Sequence, residues 1–235
     1  GLNPVVVHGG GPQIDETLAE FGVVSERVEG LRVTDERTMK VVEMVLGAQI
    51  NQEIVSLIGK HGGRAVGLTG RDDACVRARK VERMTTRSGK EVDPGRVGAV
   101  TSVKPEVIRR LVEGGFIPVI APIAVDEAGR SLNVNADTVA GKVAEALGAR
   151  KLVLMTDIEG VRGEEGEVMS SLRTSEIEQL QAKGVIEGGM IPKVGCAVEA
   201  LLGGVTKAHI IDGRAKHAVL LEIFTDEGVG TEIMK

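Results

Sequence analysis

Short apolar segments alternate with helix-length amphipathic segments along most of this chain, and that alternation restricts the folds open to it. The apolar runs predict buried strands at 4–7, 65–69, 117–121, 151–155 and 207–212. Apolar residues spaced three to four apart predict helices at 13–21, 35–60, 104–113, 136–147, 174–183, 191–202 and 215–222. Because strands that alternate with helices form a mostly parallel sheet covered on both faces, we expect an α/β fold. Polar β-hairpins are expected at 74–103, with a turn at Ser88-Gly89, and Thr34 is expected to be the N-cap of the helix at 35–60.

The composition excludes several classes of protein. The chain has 235 residues, a net charge of −5 and only 1% aromatic residues, and its charges of both signs are interspersed. Without a basic stripe or aromatic stacking partners, nucleic-acid binding is not expected. No apolar run reaches the ~20 residues of a membrane span. Cys75 and Cys196 lack metal-site or redox-motif spacing, so we expect a cytoplasmic protein without disulfides.

Two glycine-rich segments each open a predicted helix. Glycines at 9–11 follow the first strand, and glycines at 188–189 precede the helix that carries Lys193 in its first turn. Free backbone N–H groups and the helix dipole favour an anion at such positions. A lysine is disfavoured there unless an anionic ligand lies beside it, so Lys193 suggests phosphate handling. The alternative interpretations are an ordinary βα turn and a solvated surface lysine.

Polar side chains also lie at the ends of other predicted elements. Arg32 precedes a helix, where its guanidinium group suits a substrate carboxylate. Asn133, Asn135 and Asp137 surround the start of another helix, and Asp157 follows a strand in a glycine-containing turn. Since ligands of parallel sheets gather at the carboxyl ends of strands, the first glycine segment and Asp157 are expected at a binding edge. Helix capping, surface ion pairs and ordinary turns remain alternative explanations for these features.

Six stretches together resemble the amino-acid kinase family, and within it the branch of arginine biosynthesis that phosphorylates N-acetyl-L-glutamate. They are HGGGPQI, GLRVTDERT, NVNADTVAGKVAEALGA, LVLMTDIEGV, GGMIPKV and HIIDGR. The resemblance implies a three-layer αβα sandwich with an eight-stranded, mostly parallel central sheet. An N-terminal lobe, 1–135, would bind N-acetyl-L-glutamate and dimerise, and a C-terminal lobe, 136–235, would bind ATP. The γ-phosphoryl group of ATP would pass to the γ-carboxylate of the acceptor.

The resemblance also implies roles for individual residues. Lys193 would stabilise the transferring phosphoryl group, and Asp137 would organise the lysines, as catalytic residues. The implied acceptor-binding residues are Gly9, Gly10, Gly11, Arg32, Asn133 and Asn135. The implied nucleotide-binding residues are Asp157, Ile158, Glu159, Gly160, Val161, Arg162, Val185, Ile186 and Glu187. No protein ligand for a metal is implied, because the ATP phosphates would hold Mg²⁺.

The C-terminal segment resembles the arginine-inhibited members of this family. His209, Glu222 and Gly228 would line an L-arginine site, although a plain helix–loop ending is the alternative. The resemblance further implies a homo-oligomer, either a dimer or a hexamer built as a trimer of dimers, and a nitrogen-signalling protein as a possible regulator.

One part of the family pattern is missing from these residues. The family begins with a strand that ends in K-x-G-G, followed by a helix, and neither precedes HGGGP here. We therefore expect further residues before Gly1. Two other functions stay open: a kinase for glutamate, aspartate or a carrier-linked amino acid, and a catalytically inactive subunit that senses arginine or a nucleotide.

Overall fold

The computed structural model describes residues 2–24, 26–28, 31–86, 89–225 and 228–235. The chain divides into two compact units, Gly1–Val143 (unit 1) and Ala144–Lys235 (unit 2). The division falls inside the helix predicted at 136–147 rather than before it. The roles expected for the two lobes stay predictions.

Unit 1 contains most of the secondary structure. Its helices are α1 (Gly11–Glu20), α2 (Glu36–Val42), α3 (Asn51–Lys60), α4 (Glu106–Glu113) and the larger part of α5 (Ala136–Leu147). Its strands are β1 (Val6–Val7), β2 (Arg27–Val28), β3 (Leu31–Arg32), β4 (Ala65–Thr69), β5 (Val76–Lys80), β6 (Met84–Thr85), β7 (Glu91–Val92), β8 (Gly98–Val103), β9 (Ile117–Ala121), β10 (Ile123–Val125) and β11 (Ser131–Asn133). A π-helical segment, Glu43–Ile50, joins α2 to α3.

A three-stranded parallel sheet lies at the centre of unit 1. Strand β9 pairs with β1 on one side and with β4 on the other. The apolar run predicted this strand, and Val119, Ile120 and Ala121 are fully buried. A core cluster combines α1, the long continuous helix Glu36–Lys60, the end of β9 and the start of β10: Ile14, Leu18, Met39, Val41, Val42, Val45, Leu46, Ile50, Ala121 and Ile123.

The region predicted to form β-hairpins does so. Strand β5 pairs antiparallel with β8, and β6 pairs antiparallel with β7. Strands β10 and β11 extend the β5–β8 pair into a four-stranded mixed sheet. The turn predicted at Ser88-Gly89 lies partly outside the described residues, because Ser88 is not among them.

The long helix begins at Glu36, and its N-cap is Asp35 rather than the expected Thr34. The Asp35 carboxylate accepts a hydrogen bond of 2.7 Å from the backbone N–H of Thr38, and that bond is the main cause of a lowered Asp35 pKa. Aspartate ranks above threonine as an N-cap. Thr34 is instead fully buried, and its hydroxyl donates to the Arg32 carbonyl over 2.9 Å.

In the described part of the chain, one helix is long and apolar enough to cross a membrane by length and composition. This is Glu36–Lys60, with a mean hydropathy of 1.3 over its most apolar window. Core helices of soluble proteins meet the same criterion, and Val41, Val42, Val45 and Leu46 of this helix lie in the core of unit 1.

Unit 2 contains a second, four-stranded sheet. Its strands are β12 (Lys151–Thr156), β13 (Ser171–Arg173), β14 (Lys207–Asp212) and β15 (Thr231–Met234), in the order β12-β14-β15-β13. β12 and β14 are parallel, as are β13 and β15, whereas β14 and β15 are antiparallel. Its helices are α6 (Thr174–Ala182), α7 (Met190–Leu202) and α8 (Ala218–Phe224). Helix α7 packs on β12, β14 and β15.

The α/β class is therefore confirmed, with mostly parallel central strands and flanking helices. One detail differs from the expectation. The described strands of unit 1 pair as one three-stranded, one four-stranded and two two-stranded sheets, and those of unit 2 pair as one four-stranded sheet, rather than as one eight-stranded sheet. Strands β2, β3, β10, β11, β13 and β15 were not predicted, since each is only two to four residues long.

Candidate functional site

The glycine loop between β1 and α1 forms one wall of a pocket in unit 1. Helix α1 begins at Gly11, with Gly10 as its N-cap. A Cβ atom at Gly10 would lie 2.2 Å from Ile50 Cδ1 and 2.7 Å from Leu46 Cδ2. A side chain at this position would displace Ile50 and Leu46, so glycine lets the loop backbone lie directly on the π-helical segment. The start of α1, where backbone N–H groups favour an anion, then borders the pocket.

This pocket has a volume of about 150 Å³ and brings together all the predicted acceptor-binding residues. These residues are Gly9, Gly10, Gly11, Arg32, Asn133 and Asn135. Arg27 also lines the pocket, together with apolar side chains that include Ile14, Leu46 and Val97. Cationic and amide groups set among apolar walls suit a small acidic ligand that has an apolar portion.

Arg32 is the most buried charged side chain of the pocket, with 4% of the side chain exposed. Its Nη1 donates to the Asp15 carboxylate on α1, and its Nη2 donates to the Gly11 carbonyl over 3.1 Å. Asp15 also accepts a hydrogen bond of 2.9 Å from Arg27 Nη2. The guanidinium group predicted to clamp a carboxylate is thus held against the glycine loop.

The two asparagines of the pocket have different local roles. Asn133, at the end of β11, donates from Nδ2 to the buried Thr34 hydroxyl over 3.2 Å. Asn135 is exposed, and its Oδ1 accepts from the backbone N–H of Thr138 over 3.0 Å, as expected for the N-cap of α5. Helix capping therefore explains Asn135 but not Asn133, which is the last residue of β11 and lines the pocket.

His8 supports the glycine loop from within the core. Its Nδ1 donates to the Gly9 carbonyl over 3.0 Å, and its Nε2 accepts from Asn51 Nδ2 over 3.2 Å. Asn51 also donates to the Val119 carbonyl over 2.9 Å, which links α3 to β9. Burial lowers the pKa of His8, although the bond to Gly9 opposes that shift. A neutral imidazole fits both hydrogen bonds.

A larger groove of about 580 Å³ lies in unit 1 between the π-helical segment, the start of α3 and β4. Among the described residues that line it are Glu43, Asn51 and Asp72, and none of the lining residues is a predicted site residue. The candidate site is therefore the smaller pocket.

The two predicted catalytic residues lie at helix starts. Asp137 is in the first turn of α5, in unit 1, and is half-buried. Lys193 is in the first turn of α7, in unit 2, and is also half-buried. Gly188 and Gly189 precede α7 as predicted, and Gly189 is its N-cap. The catalytic roles of both residues stay predictions.

The predicted nucleotide-binding residues occupy two loops of unit 2. Asp157, Ile158, Glu159 and Arg162 are exposed where β12 ends, whereas Gly160 and Val161 are buried. The backbone N–H of Val161 donates to the Thr231 hydroxyl over 2.8 Å. In the second loop, Val185 is half-buried, Ile186 is buried and Glu187 is exposed. A ligand at these loops would meet exposed side chains and backbone, since the side chains of Val161 and Ile186 lie in the core.

The residues predicted to bind arginine come together in unit 2. His209 Nδ1 lies 2.6 Å from Glu222 Oε1, and both side chains are buried. Glu222 Oε2 accepts from the backbone N–H of Val229 over 3.0 Å, next to Gly228. Lys151 Nζ donates to Glu222 Oε1 over 3.2 Å, so this carboxylate has a lysine partner as well. Burial lowers the pKa of His209, and the nearby Glu222 carboxylate opposes that shift.

Three charged residues near these sites were missed by the sequence interpretation: Asp15, Arg27 and Lys151. Asp15 lies four residues beyond Gly11 on the same helix, a spacing that indicates a shared face. Arg27 and Lys151 reach their partners only through the fold. In the part of the chain that the structure describes, no group of three or more His, Cys, Asp and Glu side chains is placed to hold a metal ion.

Comparisons of sequence and structure relate this chain to known proteins. The family model described as the amino acid kinase family matches residues 1–212. Acetylglutamate kinase from Acinetobacter baylyi is 58% identical over 236 residues, covering 99% of this chain and 78% of that protein. The solved structure of smu.665 from Streptococcus mutans UA159 is 30% identical with a TM-score of 0.81, covering 98% of this chain and 85% of that chain.

A second solved structure is N-acetylglutamate synthase from Neisseria gonorrhoeae, complexed with coenzyme A and N-acetyl-glutamate. It is 26% identical with a TM-score of 0.85, and the match covers 98% of this chain and 51% of that chain. The match of the family model over most of the chain, together with the relative at 58% identity, determines the family. The chain belongs to the amino acid kinase family.

Proposed function

We propose that this chain transfers the γ-phosphoryl group of ATP to the γ-carboxylate of N-acetyl-L-glutamate. The observation that carries the proposal is the pocket of unit 1. Every predicted acceptor-binding residue lines it, and one of them, Arg32, is buried. A relative named acetylglutamate kinase, identical at 58% of positions over nearly the whole chain, supports the same reaction.

The acceptor of this reaction needs little chemical activation. A carboxylate is ionised at neutral pH, so no general base has to remove a proton before its oxygen attacks the γ-phosphorus. Catalysis then depends on alignment of the two substrates and on neutralisation of charge in the transition state. In this proposal Arg32 binds the carboxylate that does not react, and Asn133 and the glycine loop orient the rest of the acceptor.

The nucleotide side of the proposal rests on family membership and on the two loops of unit 2. The segments at 157–162 and 185–187 would contact ATP, and Lys193 would neutralise charge on the transferring phosphoryl group. Asp137 would keep lysine side chains oriented and charged. Mg²⁺ would accompany the nucleotide through its phosphate oxygens. The protein would work in the cytoplasm as a homo-oligomer, and a nitrogen-signalling partner stays a prediction.

We further propose that the His209–Glu222–Gly228 cluster binds L-arginine as a feedback inhibitor. A buried carboxylate is a suitable partner for a guanidinium group. Glu222 already bonds to Lys151 and His209, so a ligand guanidinium would have to compete with these two partners. The corresponding variant is Glu222→Gln, which we expect to weaken arginine inhibition by at least about 10-fold, since charge-assisted hydrogen bonds contribute roughly 1.5–3 kcal/mol.

The test is ATP-dependent phosphorylation of N-acetyl-L-glutamate by the purified protein, with the acyl phosphate trapped by hydroxylamine. Turnover that L-arginine suppresses supports both proposals, and turnover indifferent to L-arginine contradicts the inhibitor site alone. Glutamate and aspartate serve as alternative acceptors. Preference for either of them would favour a related amino-acid kinase. No turnover with any acceptor would favour the sensing subunit.

A further inference from the structure

Asp15 on α1 connects two arginines of the acceptor pocket. One carboxylate oxygen accepts from Arg32 Nη1, and the other accepts from Arg27 Nη2 over 2.9 Å. Arg32 and Arg27 are the charged side chains among the described residues that line the pocket. We propose that Asp15 is a positioning residue for Arg32 and that Arg27 is a second cationic binding residue for the acceptor. This inference rests on the proposed function.

The need for Asp15 follows from the burial of Arg32. Only 4% of the Arg32 side chain is exposed, compared with 43% of the Asp15 side chain. A guanidinium group removed from water is costly unless a counter-charge and hydrogen-bond acceptors satisfy it. Asp15 and the Gly11 carbonyl supply both, and they bond to different nitrogens of the guanidinium group. These two bonds therefore fix the plane of the Arg32 guanidinium group before a ligand binds.

The Asp15 carboxylate lowers the positive charge of the pocket, and Arg27 compensates for that loss. A single carboxylate opposite a single arginine would cancel its charge and remove the attraction for an acidic ligand. Among the residues that the structure describes here, the second guanidinium restores a net positive charge, because two cations then share the Asp15 carboxylate. The ideal Cβ position at Gly11 lies 3.4 Å from Arg27 Nη2, which places Arg27 beside the loop that would hold the ligand. Asp15 and Arg27 together can thus fix the orientation of the Arg32 side chain while the pocket still attracts an anion.

The substitution Asp15→Asn separates positioning from simple charge. If Asp15 acted only as a counter-charge, its removal would make the pocket more cationic and lower the KM for N-acetyl-L-glutamate. For a positioning residue, the KM rises. We expect a rise of about 10-fold, the size of one charge-assisted hydrogen bond, with kcat within about 3-fold and the KM for ATP unchanged. An unchanged or lower acceptor KM would overturn the inference. Glu113→Gln removes an exposed carboxylate paired with Arg110 and is the matched control.

Arg27→Gln tests the second cation. The acceptor KM should rise by about 3- to 10-fold and should depend less on salt than in the wild type, because one exposed charge that screening affects has been removed. Asp15→Asn should not flatten the salt dependence. An Arg27→Gln protein with wild-type KM and wild-type salt dependence would overturn the role of Arg27.

A stability measurement tests the positioning role without turnover. Asp15→Asn should lower the Tm by about 3–6 °C, because it removes a carboxylate that bonds directly to the buried Arg32 charge. In an Arg32→Met background, the same change should lower the Tm by less than about 2 °C, since only the exposed pair with Arg27 is then lost. Equal losses in both backgrounds would contradict the inference. Absence of turnover by the wild type would contradict the proposed function alone and leave this comparison valid.

Discussion

At the scale of single residues, burial lowers the pKa of two histidines, His8 and His209. His8 lies 8% exposed between Gly9 and Asn51, and His209 lies 4% exposed beside Glu222. Desolvation lowers the pKa of each imidazole below its ordinary value of 6.5. In the unfolded chain both side chains are in water and regain that value. The folded state therefore binds fewer protons than the unfolded state in mildly acidic solution.

This difference predicts a loss of stability on acidification. As the pH falls below about 6.5, the unfolded chain takes up protons at His8 and His209 that the folded chain does not, so the free energy of unfolding decreases. Each histidine contributes at most about 1.4 kcal/mol per pH unit. Urea unfolding between about pH 5.5 and 7.5 measures the slope, and His8→Gln should reduce it. An unchanged slope in that variant would contradict the assignment to His8. Asp35, with its lowered pKa, loses its stabilising contribution only well below this range.

The predicted catalytic residues give a second test at this scale. Lys193→Ala should lower kcat by about 100- to 1000-fold, the usual effect of losing one donor to a transition-state charge, and Asp137→Ala should also lower it strongly. The Tm of each variant should stay within about 3 °C of the wild type, because neither side chain belongs to the core. Lys183→Ala removes an exposed lysine paired with Glu164 in unit 2 and serves as the control. Near-normal kcat in both Lys193→Ala and Asp137→Ala would refute the site assignment.

At the scale of elements, the long helix organises unit 1. Apolar residues spaced three to four apart predicted one helix at 35–60, and the structure has a continuous helix over Glu36–Lys60. The spacing did not reveal the π-helical segment in the middle, because its buried residues Val45, Leu46 and Ile50 keep a spacing that an α-helix also shows. Leu46 and Ile50 of that segment pack directly beneath Gly10. The helix thus supports the loop that forms the pocket.

The contact between α3 and β4 predicts the effect of a substitution at Gly67. A Cβ atom there would lie 1.9 Å from Asn51 Oδ1, the residue that links His8 to β9. Gly67→Ala should lower the free energy of unfolding by about 1–3 kcal/mol, as overpacking does. The control is Gly59→Ala on α3, the helix that carries Asn51. A Cβ atom at Gly59 meets nothing within 4 Å, so this change should raise the free energy of unfolding by up to about 1 kcal/mol. Urea unfolding measures both, and a neutral Gly67→Ala would show that Asn51 moves aside without cost.

At the scale of the whole molecule, the chain is two units with different sheets. Unit 1 has a parallel central sheet and the candidate acceptor pocket, and unit 2 has a mixed sheet and the predicted nucleotide loops. The boundary lies inside α5, so Asp137 belongs to unit 1 although it was predicted for the C-terminal lobe. The roles of the units can be tested separately because each ligand stabilises the region that binds it.

Hydrogen exchange with one ligand at a time makes that test. N-acetyl-L-glutamate alone should slow exchange at the start of α1 and around β11, by a factor that follows the ligand concentration relative to its Kd. MgATP alone should slow exchange at 157–162 and 185–193. ADP and succinate, which carry only part of each substrate, are suitable controls for specific contacts. Protection by N-acetyl-L-glutamate confined to unit 2 would contradict the assignment of the lobes.

Much of the fold could be predicted because the relevant signals are local. Apolar spacing located α5, and short apolar runs located β4, β9 and β14, at their observed bounds, since burial of these elements is written directly into the local sequence. Strands β13 and β15 escaped prediction because each is held by partners far along the chain and is too short to show a repeat. The N-cap at Asp35 differed from the expected Thr34 because adjacent capping residues compete, and only backbone geometry selects between them.

The sequence by itself determined the α/β class, the approximate positions of the helices and the family to which the predicted acceptor-binding residues point, since these depend on short-range order and on characteristic motifs. Only the tertiary structure decided that Asp15 and Arg27 join Arg32 at one pocket, and that Lys151 joins His209 at Glu222. Such contacts join segments far apart in the chain. Their strength depends on the water excluded around each charge, and packing in three dimensions controls that exclusion.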